Sequence, residues 1–598
     1  LYDAYAAIWA SDDLYYNGGG VAHTSAYNAW QNEMAAKIAR LIGKDPAPYQ
    51  AEANAIRRGM REQLWMPARG AFAEYRDLLG TQSLHPSYAL WTFYQTIDSG
   101  VPTPFEAARM AADLDHHLRA IPVRGPGVPA DRPYRVLPSS DWMPYSWSIN
   151  NVVMDENLHT ALAYWEAGRP ETAYELAKGA LLASLYMGIS PGNIGTMNYL
   201  DAYRREAQRD FADGSGVMAR ALVEGLFGVR PDALAGVLAI RPGLPRDWDH
   251  ASLDHPDLNL AYKRDGLRER WTVAQHGARF DRLVLDLPAR HAMVEGVRVN
   301  GKPVKWAADS EAVGTPRLHL DLPFAHQADI EITWRGAAIG ADAADITDAS
   351  AHPGFRMLRE GDFRWWQLAP DRQGGAAPSC KLEGPDWTTG TPIRSRQVDL
   401  QPWFNDRVSA IFKPGKYLSP RASKVTLALP SQGIGAWAGH VDELPVIDDA
   451  GLRALGGTLS LPNGLGFATP AAAAAPNVIF TSRWDNYPRE VTLPLDGQAR
   501  RAFLLMAGST NFMQSRVDNG EVVVTYTDGT QARTALRNPD NWWPIEQDYF
   551  VDDFQFPLCG RLPVRVDLKT ARVHVPDPAT FKGAGRGHID GGAASVLA

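Results

Sequence analysis

The hydrophobic pattern of this chain changes its period once, and that change constrains the possible folds more than any other feature. Up to about residue 245, apolar residues recur every three or four positions, as in helices that bury one face. From about Trp248 they alternate with polar residues, as in the strands of an antiparallel sheet. We therefore expect an all-α domain over residues 1–247, followed by all-β domains.

The expected helices come in pairs that are separated by long polar insertions. The segment "TSAYNAWQNEMAAKIARLIGKD" has Thr24 or Ser25 as its expected cap and Gly43 near its end. One apolar face of this helix comprises Trp30, Met34, Ile38, Leu41 and Ile42. The insertions include "WMPARGAFAEYRDLLGTQSLHP" and "PVRGPGVPADRPYRVLPSSDWMPYSWSINN". A ring of helical hairpins would place these insertions around one mouth, and long loops in compact domains are usually functional.

Both ends of the sequence are typical of a chain cut from a longer one. The opening "LYDAYAAIWASDD" has the pattern of the end of a helix, and "GGAASVLA" stops where a strand pattern begins. About seven or eight helices are expected in all, so a ring of hairpins would lack its first members. We therefore expect the helical domain to be incomplete at its N-terminus and the last domain at its C-terminus.

Two β-rich domains are expected after the helices. Segments such as "RLVLDLP" and "RLHLDLP" alternate, and Asn300-Gly301 in "VRVNGKPVKW" is a strong signal for a two-residue hairpin. This predicts an antiparallel β-sandwich over residues 248–336. The small residues of 337–350 predict a linker, and 351–598 a second sandwich-like domain.

Composition and motifs exclude several classes of function. The net charge of −8 argues against a nucleic-acid partner, which would require a basic face. The two cysteines, Cys380 and Cys559, cannot form a disulfide framework, and no histidines stand at zinc-finger spacing. No phosphate loop, dinucleotide fingerprint or HExxH motif occurs, and no apolar run is long enough for a membrane span. We expect no metal and no cofactor.

Acidic residues cluster with aromatic residues and amides at helix ends and in the insertions. Sugar hydrolysis requires a carboxylic acid that protonates the leaving oxygen and a carboxylate that activates water or attacks. The acids of these clusters include Glu156, Asp12 and Asp213, which are candidates for the two carboxyl groups. The predicted substrate-binding residues are Asp13, His23, Asn28, Asp141, Trp142, Trp147, Asn150 and Asn157.

Each of these acids also has a structural interpretation. In "MDENLHTALAYW" the first-turn residues Asp155 and Glu156 could simply oppose the helix dipole, an effect of about 0.3–1 kcal/mol. Glu156 lies nearly opposite the apolar stripe of this helix, where it faces either solvent or a cavity. Asp213 could equally be a helix cap, and a capping or structural role suits His23 better than substrate contact. The helical wheel alone does not choose between these roles.

Three stretches resemble the six-hairpin glycosidase superfamily. They are "GGGVAHTSAYNAWQNEMAAKIARLIGKD", "MDENLHTALAYWEAGRPETAYELAKGALLAS" and "DGSGVMARALVEGLFGVRPDALAGVLAIRPGLPRDW". The resemblance covers about residues 1–335 and implies a bacterial (α/α)6 barrel followed by β-sandwich domains. It implies hydrolysis by two carboxylates, with Glu156 on a late inner helix, Asp12 at an earlier helix end and Asp213 third.

The substrate is less constrained than the architecture. The domain order resembles exo-acting enzymes on plant-type or other complex polysaccharides, such as rhamnosidases or arabinofuranosidases. A polysaccharide lyase that uses His23, Tyr27 and Asn28 is an alternative, as is a non-catalytic carbohydrate-binding protein. We expect a periplasmic or secreted location rather than a cytoplasmic one, and the sequence leaves the oligomeric state open.

Overall fold

The computed structural model describes most of the helical region, the first sandwich and parts of the last region. The described residues are 1–2, 19–77, 82, 84–125, 128–129, 133–141, 152–186, 199–201, 206–208, 213–347, 352–369, 392–411, 413, 446–481, 487–508, 518–537, 540–546, 548, 562–575 and 589–598. For Asp77, 185–186, 199–201, 206–208, Asp213 and Ser215 the description covers the backbone alone.

The helical region contains seven helices and ten short strands among these residues. The helices are α1 Ala22–Leu41, α2 Ala47–Gln63, α3 Leu90–Asp98, α4 Pro104–His117, α5 Met154–Glu166, α6 Pro170–Tyr186 and α7 Asp213–Arg220. The strands are β1 Gly19–Val21, β2 Trp65–Met66, β3 Ala71–Phe72, β4 Tyr75–Asp77, β5 Leu84–His85, β6 Ile121–Pro122, β7 Arg135–Val136, β8 Val152–Val153, β9 Tyr199–Asp201 and β10 Glu206–Gln208. A π-helical turn, Ala221–Leu226, continues α7.

The helices form two layers. The odd-numbered helices contact one another in the order α1, α3, α5, α7, while α2, α4 and α6 each pack on the preceding odd-numbered helix. Burial separates two of these helices clearly: α3 is buried along almost its whole length, whereas α2 buries only Ala53, Ile56 and Met60. The inner layer therefore consists of the odd-numbered helices, and the even-numbered helices cover it from outside.

Helix α1 packs through its small residues instead of its large ones. Its buried hydrophobic side chains are all alanines, whereas Trp30, Ile38, Leu41 and Ile42 are 41–65% exposed. The predicted cap is also wrong, because α1 begins at Ala22 directly after β1 and has no side-chain cap. Gly43 follows the helix with a φ of 67°, as predicted for its end.

The sandwich consists of two sheets. Its strands are β11 Val229–Asp232, β12 Val237–Ile240, β13 His250–His255, β14 Leu258–Asp265, β15 Arg268–Gln275, β16 Arg282–Pro288, β17 His291–Val299, β18 Lys302–Pro303, β19 Ala307–Ala308, β20 Arg317–Pro323 and β21 Gln327–Ala338. The sheet orders are β11-β12-β16-β20-β19 and β13-β14-β15-β21-β17-β18. The hairpin at Asn300-Gly301 is confirmed, with φ values of 49° and 77°.

The sandwich begins before the expected boundary at residue 248. Strands β11 and β12 belong to its first sheet, and β12 runs parallel to β16. Each of these two strands has only four residues, too few for the period-two pattern to stand out from the helix before them. The boundary between the helical and β regions therefore lies at the end of the π-helical turn.

Within its described residues, the last region contains further short strands and one short α-helix. They are β22 Ala344–Asp345, β23 Phe355–Glu360, β24 Phe363–Leu368, α8 Ala450–Ala454, β25 Thr458–Ser460, β26 Gly466–Ala468, β27 Leu504–Met506, β28 Asp518–Thr525, β29 Gln531–Arg537, β30 Arg565–Asp567, β31 Val573–His574 and β32 Ala593–Leu597. Strand β22, inside the predicted linker, pairs with β23. Cys380 and Cys559 lie outside the described residues.

None of the helices in the described part of the chain combines the length and the apolarity that a membrane crossing requires.

Candidate active site

The first turns of α1, α3 and α5 and the turn that precedes β4 come together at one end of the helical region. Helices α1 and α5 each start directly from a short strand, β1 and β8. The amide of Ala22 donates to the carbonyl of Glu74 at 3.0 Å, and the amide of Glu74 donates to the carbonyl of His85 at 2.9 Å. The amide of Leu90 donates to Ser139 O at 2.8 Å. These backbone bonds hold segments distant in sequence around one group of polar side chains.

Glu156 is a buried acid in the first turn of α5. It is 5% exposed and its neighbour Asp155 is 1% exposed, so neither is a solvated surface charge. Burial raises the pKa of Glu156 well above its ordinary value, and the charges of Asp155 and Glu74 raise it further. The Tyr94 hydroxyl opposes this shift in the pKa only in part. Glu156 therefore favours its protonated form, as a proton donor requires.

Glu74 lies in the turn between β3 and β4, and its carboxylate is completely buried. The indole Nε1 of Trp91 donates to Glu74 Oε1 at 2.5 Å, and the hydroxyl of Thr92 donates to Oε2. His23 Nδ1 lies 3.3 Å from Oε1. Donors from α3 and an imidazole from α1 thus fix this carboxylate between the two helices.

Tyr94 and His159 form a second layer beside Glu156. Their rings stack with centroids 4.7 Å apart. Burial, assisted by the charge of Arg220, lowers the pKa of His159 to about 4, so this imidazole is neutral near pH 7. Burial raises the pKa of Tyr94 well above its ordinary value. Both rings are therefore uncharged at neutral pH and surround the carboxyl groups with a medium of low polarity.

Some predicted substrate-binding side chains are engaged with the backbone. Asn157 is fully buried. Its side-chain oxygen accepts from the backbone N–H of Leu137 at 2.7 Å, and its side-chain nitrogen donates to Leu137 O at 2.9 Å and to Val153 O at 2.8 Å. The amide of Asn28 donates to Thr24 O at 2.9 Å. A carboxylate oxygen of Asp141 accepts from the amide of Tyr88 at 2.9 Å. For these three residues, contact with substrate stays a prediction.

Other predicted site residues fall outside the part of the chain that the structure describes. Asp12, Asp13, Trp142, Trp147 and Asn150 lie outside the described residues. Asp213 is the first residue of α7, which agrees with either role suggested for it, but its side chain also lies outside the description.

Sequence reasoning missed Glu74, Tyr94 and His159. The signal for Glu74 was a single acid inside the apolar run "GAFAEYRD" of a long insertion. Its neighbours Phe72 and Tyr75 are buried, and so is the acid. Its partners come from α1 and α3, and the pattern of the insertion carries no information about them.

The chemistry available here is that of a buried proton donor beside two further acids. A buried, protonated carboxyl can transfer its proton to a bound oxygen atom, and nearby carboxylates can stabilise positive charge that develops on substrate. The described residues contain no group of three or more His, Cys, Asp or Glu side chains arranged to hold a metal ion.

Comparisons with known proteins give local likenesses. Neither a scan of protein-family models nor a search of curated protein sequences gives a match. Among solved structures, an α-L-rhamnosidase from Streptomyces avermitilis in complex with L-rhamnose is 12% identical over 52% of this chain and 26% of its own, with a TM-score of 0.31. The α-L-rhamnosidase from Dictyoglumus thermophilum is 10% identical over 50% and 30%, with a TM-score of 0.31. The mannosylglycerate hydrolase from Thermus thermophilus is 17% identical over 33% and 47%, with a TM-score of 0.24.

This chain thus spans about a quarter of the first rhamnosidase and less than half of the mannosylglycerate hydrolase.

Proposed function

We propose that this protein is a glycoside hydrolase in which Glu156 is the general acid. The observation that carries the proposal is the burial of Glu156 at the start of α5, beside Asp155 and Glu74. Burial and two neighbouring acids keep a carboxyl protonated, which is the property that protonation of a glycosidic oxygen demands. A surface acid that only opposed the helix dipole would be exposed and ionised.

The reaction also needs an ionised carboxylate across the sugar. Both oxygens of Glu74 are occupied by donors, so Glu74 is poorly placed to attack a sugar or to activate water. Asp12 and Asp213 therefore stay the proposed candidates for this role. The second carboxylate would act as a base on water in an inverting enzyme or as a nucleophile in a retaining one.

We propose that the two helical layers are part of an (α/α)6 barrel. The inner layer α1, α3, α5 and α7 and the outer layer α2, α4 and α6 support this proposal. The mouth would lie at the first turns of the inner helices, where Glu156 is found. A complex polysaccharide of plant type, attacked from its end, is the proposed substrate, and a periplasmic or secreted location would suit it.

A lyase fits the candidate residues less well. A lyase needs a group that removes a proton next to a uronate carboxylate. Burial raises the pKa of Tyr27, which makes its basic phenolate form rarer at neutral pH than that of an exposed tyrosine. The amide of Asn28 is engaged with Thr24 O, and His23 lies against Glu74. The hydrolase is therefore the better-supported proposal.

A screen of the purified chain against plant-cell-wall oligosaccharides tests the function. Reducing ends and ultraviolet absorbance would be measured in the same reactions, and sugar binding by calorimetry. The proposal expects new reducing ends without absorbance from unsaturated products. Absorbing products would identify a lyase, and binding without any product would identify a carbohydrate-binding protein.

A further inference from the structure

Three arginines of the sandwich have buried guanidinium nitrogens and no carboxylate partner. They are Arg241 directly after β12, Arg290 between β16 and β17, and Arg317 at the start of β20. Arg290 is 7% exposed and Arg317 is 3% exposed. In the described part of the chain, the Nε atom of each arginine is buried without a hydrogen-bond acceptor, and none of the three forms an ion pair. Buried charge without a counter-charge is costly, which makes this arginine cluster unfavourable as it stands.

The strands of the first sheet bring Arg241 and Arg317 to the same point. The parallel ladder between β12 and β16 ends at Ile240 and Leu285. The residues that follow on the two strands, Arg241 and Asp286, are therefore neighbours. Arg317 reaches Asp286 from the other side, because β20 pairs with β16 and Arg317 Nη1 donates to the carbonyl oxygen of Asp286 at 2.8 Å. The backbone of one residue thus lies between two arginine side chains.

Arg290 joins the arginine cluster from the end of β16. The amide of Ala289 donates to the carbonyl oxygen of Pro316 at 2.9 Å. Arg290 and Arg317 each follow a member of this hydrogen-bonded pair. The guanidinium of Arg290 lies over the ring of Tyr262, 5.7 Å from its centroid. An aromatic face attracts a cation, but it does not replace an acceptor for the buried Nε and Nη2 atoms of Arg290.

The acids whose charges act on Arg241 and Arg317 contact other groups. These contacts are His319 Nδ1 with Asp286 at 2.7 Å, Arg230 with Glu166 at 2.6 Å, and the amide of Glu311 with Asp309 at 3.0 Å. Burial and the charge of Arg241 lower the pKa of Arg317 to about 9, so Arg317 is still charged at pH 7. The cluster therefore keeps positive charge that no direct carboxylate contact neutralises among the described residues.

We propose that the arginine cluster is a binding site for an oxyanion, such as sulfate, phosphate or the carboxylate of a sugar acid. A guanidinium group presents paired N–H donors in one plane, which match two oxygen atoms of such an anion. A bound oxyanion would accept from the buried Nε atoms and neutralise charges that otherwise repel one another. The site includes none of the candidate catalytic residues, so it is a second ligand site and does not depend on the proposed function.

Titration calorimetry with sodium sulfate, phosphate and acetate tests the site, with sodium chloride at the same ionic strength as the reference. The unaltered chain should bind at least one of the oxyanions saturably and chloride more weakly, because chloride has no paired oxygen atoms. Arg317→Gln keeps a donor for the carbonyl oxygen of Asp286 but loses the charge, and should weaken binding about tenfold or more. Unchanged binding in this variant would overturn the inference.

Arg282→Gln is the matched control. Arg282 belongs to the same pair of strands, β16 and β20, but its side chain is 54% exposed and forms a two-point ion pair with Asp321 at 2.8 and 2.7 Å. Its substitution should leave oxyanion binding as it is. If Arg317→Gln folds poorly, Arg290→Met is the second variant, since the Nε and Nη2 atoms of Arg290 have no hydrogen bond to lose. It should weaken binding in the same way.

Thermal unfolding separates a binding site from a purely structural role. In chloride alone, Arg290→Met removes a buried, unpaired charge and should leave the Tm unchanged or raise it. Sulfate should then raise the Tm of the unaltered chain and of Arg282→Gln more than that of Arg290→Met, because a ligand stabilises a fold only by binding to it. Equal rises in all three proteins would reflect the general effect of sulfate on folded proteins and would overturn the inference.

Sodium glucuronate in the same titrations distinguishes the sources of the anion. Tighter binding of glucuronate than of acetate, sulfate and phosphate would support a sugar acid as the ligand. Tighter binding of sulfate or phosphate would support a free inorganic anion. Absence of saturable binding with all four oxyanions would overturn the inference and leave the proposed function standing.

Discussion

The indole Nε1 of Trp165 donates a hydrogen bond to the carbonyl oxygen of Gly243 at 3.0 Å. This bond joins the last turn of α5 to the segment that follows β12. A Cβ atom on Gly243 would lie 2.1 Å from the indole, and one on Gly225 in the π-helical turn would lie 2.2 Å from it. The sandwich thus fixes the helix whose other end carries Glu156, and two glycines make room for the contact.

We expect Gly225→Ala to destabilise the chain by about 1–3 kcal/mol, because the added methyl group must displace a buried indole. Urea unfolding of the two proteins measures the difference. Gly216→Ala is the control: this glycine lies in α7 with open space around its Cβ position. It should stabilise the chain by roughly 0.5–1 kcal/mol. Equal effects of the two variants would show that the indole is not tightly held.

Asn157→Ala should cost about 2–4 kcal/mol, because it removes the bonds to both backbone groups of the buried Leu137. Thermal and urea unfolding measure this loss. Asn32→Ala, which removes a similar amide bond to Asn28 O on α1, should change stability by less than about 0.5 kcal/mol. A stable Asn157→Ala variant with a strongly raised KM would instead support the substrate contact expected from the sequence.

Glu546 should make the stability of the last region depend on pH. Burial raises the pKa of this carboxyl from its usual 4.5 to about 8. Because the pKa is higher in the folded state, its contribution to stability is present below pH 4.5 and is lost as pH rises towards 8. Glu546→Gln has no proton to lose, so its Tm should exceed that of the unaltered chain more at pH 8.5 than at pH 5.

The control for this series is Glu521→Gln on the exposed β28–β29 hairpin. Its difference in Tm should not change with pH. A Glu546→Gln difference that is also constant with pH would show that Glu546 ionises normally in the folded protein.

A substitution on the exposed face of α1 should change the stability of the chain only slightly. Ile38 is 52% exposed, so Ile38→Lys should alter the free energy of unfolding by less than about 0.5 kcal/mol. Ile56 on the adjacent helix α2 is 2% exposed, and Ile56→Lys should cost more than about 3 kcal/mol. Urea unfolding measures the free energy of unfolding of both variants. A large cost for Ile38→Lys would mean that this face of α1 is covered in solution.

Local signals in the sequence were sufficient for several parts of the fold. The Asn300-Gly301 turn depends on the φ preferences of two residues, and the structure has both in the left-handed region. The seven helices likewise follow from periodicity within each segment. The large apolar face of α1 misled the interpretation of packing, because periodicity cannot show that a neighbouring helix approaches closely enough to contact alanines instead.

The candidate site was only partly predictable for the same reason. Glu156 stood out because a helical wheel separates it from the apolar stripe of α5. Glu74 did not, because its importance lies in contacts with Trp91, Thr92 and His23, which only the folded chain brings to it. Patterns within a segment predict individual helices and strands. The burial of acids from separate segments depends on how those helices and strands pack together in the fold.

Turnover of Glu156→Gln on whichever oligosaccharide the chain hydrolyses tests the central claim most directly. Glu166→Gln is the matched control, since Glu166 is a second glutamate of α5, partly buried at the other end of the helix and paired with Arg230 at 2.6 Å, and desolvation raises its pKa to about 7. We predict that Glu156→Gln lowers kcat by at least about 100-fold with the fold intact, as expected for a lost general acid, while Glu166→Gln stays within about threefold. Activity of Glu156→Gln equal to that of the unaltered chain would contradict the account.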